Sequence, residues 1–210
     1  MRHSLFNTKE FIESFTDLPL HGNLPHPSPT REVAFITGAT GFIGGYLLLE
    51  LLNKNVFKKY ICLVRGANEQ ACDTRLMESL CKKGLSTALP EGLLTVVPGD
   101  VSLPKFGLTP AKHDELAQHV DVVFHFAATM NWVAPFNQET IGNVLAVKEV
   151  LQFCARHKLK TLHYASSVGT WSLLNQPANT LYENELHDQP ENLPGGYCQA
   201  KWINEKLCLK

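Results

Sequence analysis

One turn constrains this chain more than any other feature: Thr37-Gly38-Ala39-Thr40-Gly41-Phe42-Ile43-Gly44, a G-x-x-G-x-x-G loop. It follows the short apolar run Val33-Ala34-Phe35-Ile36 and precedes Tyr46-Leu47-Leu48-Leu49-Glu50-Leu51-Leu52, which is helical in length and content. Gly38 permits the tight turn, Gly41 lets the backbone approach a pyrophosphate, and Gly44 lets the helix pack closely on the strand. Thr40, Phe42 and Ile43 complete the backbone cradle at a helix N-terminus, whose N–H groups and dipole favour an anion. A glycine-rich turn without a ligand shares the pattern, but the flanking strand and helix favour a dinucleotide site. The segment from Glu32 to Arg65 is therefore expected to be the first βαβ unit.

The alternation continues along the chain. Strands are expected at Tyr60–Val64, Leu94–Val97, Val120–His125 and Thr161–Ala165, and helices at Glu69–Lys83, Ala111–Gln118 and Phe136–His157. Strands apolar on both faces and separated by helices imply a parallel sheet covered on both sides, so the fold class is α/β, a Rossmann-type doubly wound parallel sheet. Upstream, residues 1–31 hold one short helical candidate, Thr8–Phe15, and four prolines from Pro19 to Pro29. They are expected to form a linker or surface wrap, leaving residues 32–210 as the Rossmann domain.

A length of 210 residues favours one domain. The 19 basic residues nearly cancel the 20 acidic ones, and a net charge of -1 gives no electrostatic case for nucleic acid or an anionic membrane. The cysteines lie singly, without a C-x-x-C pair, and are expected to be reduced. No apolar run approaches the ~20 residues that span a bilayer. The first residues do not resemble a signal peptide, so the cytoplasm is the default compartment.

An NAD-selective domain usually ends its second strand in a carboxylate; this one ends Leu63-Val64-Arg65-Gly66. A guanidinium there suits the 2'-phosphate of NADPH, with Arg75 on the following helix as a second contact. Strand three ends Gly99-Asp100-Val101, where Asp100 is placed to accept from the adenine amino group. Strand four ends His125-Phe126-Ala127-Ala128, where Ala127 leaves room for the dinucleotide. His125 is expected to be a satisfied core histidine, since no second ligand sits at metal spacing.

Downstream, Gly196-Tyr197-Cys198-Gln199-Ala200-Lys201-Trp202 opens a predicted helix, and Tyr197 and Lys201, four apart, share a face. A tyrosine acid, normally near pKa ~10, would need lowering by up to about 3 units to act near neutrality, with a neighbouring ammonium as one source. The fifth strand leads into Tyr164-Ala165-Ser166-Ser167. Ser167 is the expected hydroxyl donor to a substrate carbonyl, with Ser166 as the alternative.

Taken together, these segments resemble the extended short-chain dehydrogenase/reductase superfamily, and within it the thioester reductase domains of nonribosomal peptide synthetases, carboxylic acid reductases and aminoadipate reductases. The most discriminating stretch is Gly196–Trp202 with Glu205-Lys206-Leu207, supported by Phe106-Gly107-Leu108 and Asn131-Trp132-Val133-Ala134-Pro135-Phe136. The resemblance implies NADPH-dependent reduction of an acyl thioester, held on a phosphopantetheine carrier protein or coenzyme A, to an aldehyde. It casts Ser167, Tyr197 and Lys201 as catalytic, with Lys201 also holding the cofactor ribose. Ala200 stands where the family usually has serine, Ser167 where it has threonine, and Asn143-Val144 lacks the usual Gly-Thr that follows. Extended members continue past the Tyr/Lys helix, so the domain is expected to be truncated before a C-terminal substrate-binding region, and a complementary C-terminal polypeptide joins the candidate partners. Fatty acyl-CoA reduction, nucleotide-sugar epimerisation or dehydration, and a noncatalytic NADPH-binding or docking module are the alternatives.

Overall fold

A computed structural model describes residues 9–17, 24–84, 90–136, 138–172, 182 and 186–209. The chain divides into two compact units, Met1–Pro19 with Thr129–Lys148 and Ser166–Lys210, and Leu20–Ala128 with Glu149–Ala165. Thr8 and Pro19, which bound the helix and proline segment expected at the start, lie outside the described residues.

The second unit holds the sheet. Strands β1 (Val33–Thr37), β2 (Lys59–Val64), β3 (Leu94–Pro98), β4 (Val122–His125) and β5 (Thr161–Tyr164) are all parallel, in the order β3-β2-β1-β4-β5. The order reverses direction at β1, which creates a crevice beyond the carboxyl ends of β1 and β4. Because side chains alternate across a strand, the apolar runs feed two cores. Ala34, Ile36, Tyr60, Cys62, Val64, Val122 and Phe124 pack with α2 (Phe42–Asn53) and α3 (Glu69–Cys81). Phe35, Ile61, Leu63 and Val123 pack with α4 (Pro110–His119) and with Val150 and Phe153 of α5 (Gln138–Cys154). This is the doubly wound arrangement that the both-face hydrophobicity predicts.

Element ends differ from expectation where local hydrogen bonds intervene. Helix α2 begins at Phe42 rather than near Tyr46, directly after the glycine turn. Strand β4 begins at Val122 rather than Val120, because the Val120 N–H still donates to Leu116 O of α4 (2.9 Å) and Asp121 spends its carboxylate elsewhere. Helix α5 starts at Gln138, not Phe136, and ends at Cys154, not His157; His157 adopts a left-handed φ of 62° that no helix accommodates. Helix α3 stops at Cys81 rather than Lys83, and β5 at Tyr164 rather than Ala165. The 3-10 turns at Pro104–Gly107, Val168–Trp171 and Pro190–Asn192 carry no hydrophobic period from which they could be foreseen.

Asp121 is a hub in this unit. Only 2% exposed, it accepts from the Ser28 (2.6 Å) and Thr30 (2.9 Å) hydroxyls, the N–H groups of Glu32 (2.9 Å) and Val33 (3.0 Å), and the Lys158 ammonium (2.6 Å). Leu159 extends the link: its N–H donates to His26 O and its carbonyl accepts from Ser28 N–H. The proline-rich approach to β1 is thus fastened to the amino ends of β1, β4 and β5.

The first unit is built around α6 (Gly195–Cys208), much of it buried, with α1 (Lys9–Glu13) beside it. Phe11, Phe15 and Phe136 meet edge to face at 5.4–6.0 Å, Ile12 is fully buried, and Lys206 reaches Glu13. The buried Trp202 donates its indole N–H to His187 O at 2.8 Å. Among the described residues no helix is long and apolar enough to cross a membrane.

Candidate functional site

The glycine turn opens α2 as its spacing predicts. Gly38 has φ +77°, and a Cβ there would lie 2.6 Å from Ala127 N at the end of β4. A Cβ on Gly44 would lie 2.4 Å from Gly38 O, so neither position accepts a side chain without moving backbone. The Gly41 N–H closes the turn onto Gly38 O at 2.9 Å, while no side chain caps the helix N-terminus. Gly41, Phe42 and Ile43 are exposed, with Phe42 resting edge-on against Tyr46. Thr40 is held from behind, its carbonyl accepting from Ser79 Oγ of α3 at 3.0 Å. An open helix N-terminus behind a turn with glycine at positions 38, 41 and 44 fits a dinucleotide pyrophosphate.

The neighbouring strand ends belong to the same unit. Arg65 is exposed just past β2, and Arg75 Nη1 donates to the Arg65 carbonyl at 2.8 Å, so the two guanidinium-bearing residues are neighbours. Asp100 Oδ1 accepts from the N–H (2.9 Å) and hydroxyl (2.8 Å) of Ser102, a local turn that occupies one carboxylate oxygen. Val101 is half-buried beside it. The Ala127 N–H points to Thr37 Oγ1 (3.4 Å), which in turn lies 2.7 Å from His125 Nδ1. That bond, with the ring stacked on Tyr164, makes His125 a satisfied core residue.

The other unit carries Tyr197, Lys201 and Ser167. Tyr197 and Lys201 are 6% and 5% exposed, and the Lys201 ammonium lies 5.7 Å from the centre of the tyrosine ring. Burial pushes the Tyr197 phenol above its ordinary value, with the neighbouring Cys198 adding to the effect. Burial also pulls the Lys201 ammonium down to about 8, against the opposing influence of Glu205 and Cys208. In the protein alone the phenol is therefore raised, whereas the lowering expected for an acid near neutrality draws on a bound nicotinamide ribose beside the ammonium. Desolvation penalises the charged form of each group. Ser167 Oγ accepts from the Gly169 N–H at 3.1 Å and starts the 3-10 turn, whereas Ser166 Oγ donates to the Glu205 carboxylate.

Two residues near this set stand in the segments that carry the family resemblance, with no role of their own read from sequence. Glu205 extends the Tyr197, Lys201 spacing by a further turn, a periodicity that marks it as a third member of one helix face. Trp132 packs its indole against the Tyr197 ring at 4.9 Å while remaining 59% exposed. The Asn131 side chain, accepting from Val133 and Ala134 N–H groups, shapes the turn that presents it. Loop geometry of this kind leaves no periodic trace.

A five-stranded parallel sheet reversing at β1, with a glycine-rich turn at its crevice, defines a Rossmann-type nucleotide-binding protein. Residues 36–210 match the NAD-binding family described as Male sterility protein, and the chain belongs to that family. It is 34% identical over 179 residues to a component of the linear gramicidin synthase of Brevibacillus parabrevis, covering 84% of this chain and 4% of that protein. It is 32% identical to L-2-aminoadipate reductase of Saccharomyces cerevisiae, covering 88% of this chain and 15% of the relative. The crystal structure of the terminal R domain from the myxalamid PKS-NRPS biosynthetic pathway superposes with a TM-score of 0.86 at 30% identity, over 95% of this chain and 52% of that one. The chain thus spans about half of that solved domain and a small part of the curated relatives.

Proposed function

We propose that this chain carries the cofactor-binding and acid-base part of an NADPH-dependent reductase that converts an acyl thioester, on a phosphopantetheine carrier protein or coenzyme A, to an aldehyde and a free thiol. The observation that carries the reading is the buried Tyr197–Lys201 pair on one face of α6, in a chain whose relatives include reductases. Gly38, Thr40, Gly41, Phe42, Ile43 and Gly44 would hold the pyrophosphate, Arg65 and Arg75 the 2'-phosphate, Asp100 and Val101 the adenine side, Ala127 the floor and Lys201 the nicotinamide ribose. When bound, the nicotinamide supplies two electrons and a hydrogen to the thioester carbonyl carbon. Tyr197, kept neutral by burial, donates a proton to the carbonyl oxygen as charge develops there, and Ser167 donates a second hydrogen bond. Lys201, still mostly an ammonium at neutral pH, holds sugar hydroxyls beside the phenol. The resulting thiohemiacetal loses thiol to leave the aldehyde.

The test is NADPH consumption in the presence of acyl-carrier and acyl-coenzyme A substrates, with the aldehyde trapped and quantified. One aldehyde per NADPH is expected; consumption without aldehyde, or no thioester-dependent consumption, overturns the reading. Cofactor choice has its own test. Arg65→Ala is expected to cut the preference for NADPH over NADH by about ten- to a hundredfold, the worth of a charge-assisted contact to phosphate. Equal binding of both cofactors by the unsubstituted chain would remove Arg65 from that role.

A further inference from the structure

We propose that Glu205 is a positioning residue for the Ser-Tyr-Lys set: its carboxylate fastens the turn at Ser166 to α6 and places a negative charge one helical turn from Lys201. The assignment rests on the reading of Ser167, Tyr197 and Lys201 given above.

Tyr197, Lys201 and Glu205 recur at intervals of four along α6 and so lie on one helix face. Ser166 Oγ donates to Glu205 Oε1, and Thr170 Oγ1 lies 3.4 Å from the same oxygen while donating to Ser167 O at 2.9 Å. The carboxylate therefore receives the turn at Ser166, directly before Ser167, the residue whose hydroxyl the reaction would use, while Thr170 closes the turn on the far side of Ser167. The turn also sits directly on the helix, since a Cβ on Gly169 would lie 2.7 Å from Cys198 Sγ. With so little clearance, the Ser166–Glu205 bond suffices to hold the turn that carries Ser167 against α6.

The charge has a separate consequence. Lys201 is 5% exposed, and burial favours its neutral amine, which cannot hold sugar hydroxyls as an ammonium does. The Glu205 carboxylate and the Cys208 thiol, both on α6, are the groups that oppose this. The Ser166–Thr170 turn packed on the helix contributes neutral hydroxyls, and Tyr197 contributes a neutral phenol. Glu13, from α1, is engaged with Lys206, which also lies over the Trp202 ring. Glu205 is thus the carboxylate that links the geometry of the serine turn to the charge on the lysine.

The experiment is a pH titration of the Lys201 Cε resonance in the full chain without cofactor or substrate, assigned by its loss in Lys201→Arg. Glu205→Gln keeps an oxygen for Ser166 and removes the charge. Its Lys201 midpoint is expected to fall by about one pH unit, the usual scale of a nearby opposite charge. Ser166→Ala, which keeps the charge, is expected to leave the midpoint near that of the unsubstituted chain. An unchanged midpoint in folded Glu205→Gln overturns the proposal. A second variant guards against misfolding: Glu205→Ala, which removes anchor and charge together, is expected to lower the Lys201 midpoint likewise, and an unchanged midpoint in it also overturns the proposal. Neither readout uses turnover, so failure here leaves thioester reduction standing, and failure of thioester reduction leaves the Glu205–Lys201 coupling measurable.

Discussion

Tyr197→Phe is expected to lower thioester-dependent turnover about 10²–10⁴-fold, the range for loss of a positioned acid, with NADPH affinity little changed. The phenylalanine ring preserves the packing against Trp132 and the approach of Lys201, so the variant isolates the hydroxyl. Rapid-mixing measurement of aldehyde formation, beside a cofactor-binding titration, separates the two effects. Full turnover in the variant would remove Tyr197 from the chemistry, and collapse of both readouts together would assign it a structural role. The same groups set the pH dependence. A phenol raised by burial stays protonated through neutrality, while the lysine, at about 8, begins to lose its proton just above it. Activity should therefore fall on the alkaline side first through Lys201.

The second large effect concerns stability. Asp121→Asn is expected to cost about 3–5 kcal/mol, because a buried, multiply bonded carboxylate is replaced by an amide that turns donors toward donors and leaves the Lys158 ammonium uncompensated. Burial alone would raise the Asp121 carboxyl, but Lys158, Ser28 and the N–H groups of Glu32 and Val33 outweigh it and hold it well below the ordinary range. A group depressed in the folded state stabilises the fold above its unfolded value, ~3.9, and loses that contribution as the pH falls through and below it. Thermal melts from neutral to acid pH should show the unsubstituted chain approaching the variant. A variant as stable as the parent at pH 7 would show that the hub is incidental.

Much of the sheet is legible in the order of residues alone. The apolar runs at Val33 and Tyr60 became central strands because residues buried on both faces of a parallel sheet have few other places to be, and those at Leu94 and Thr161 pair along its two less buried edges. The glycine turn was equally plain, since Gly38 and Gly44 answer to backbone distances that no other residue meets. Less visible was anything decided by a single side chain far along the chain. Asp121 reads as an ordinary charge between two elements, and its five partners, from Ser28 to Lys158, come together only through the fold. Likewise, Tyr197 and Lys201 were identifiable by spacing, but the direction in which burial moves their protons depends on how deeply α6 is embedded. The 3-10 turn after Ser167 is three-dimensional information of the same sort, written in hydrogen bonds rather than in periodicity.

The exposed indole of Trp132 makes the chain its own spectrometer. Trp202 is sealed from solvent and its indole N–H is already bonded, whereas Trp132 lies against the Tyr197 ring with much of its surface in water. Trp132 and Trp202 therefore emit from environments of different polarity, with the half-buried third tryptophan, Trp171, of intermediate exposure, and collisional quenchers reach Trp132 far more readily than Trp202. Whatever arrives beside Tyr197 will register as a change in the red, quencher-accessible part of the emission, without a label or a coupled assay.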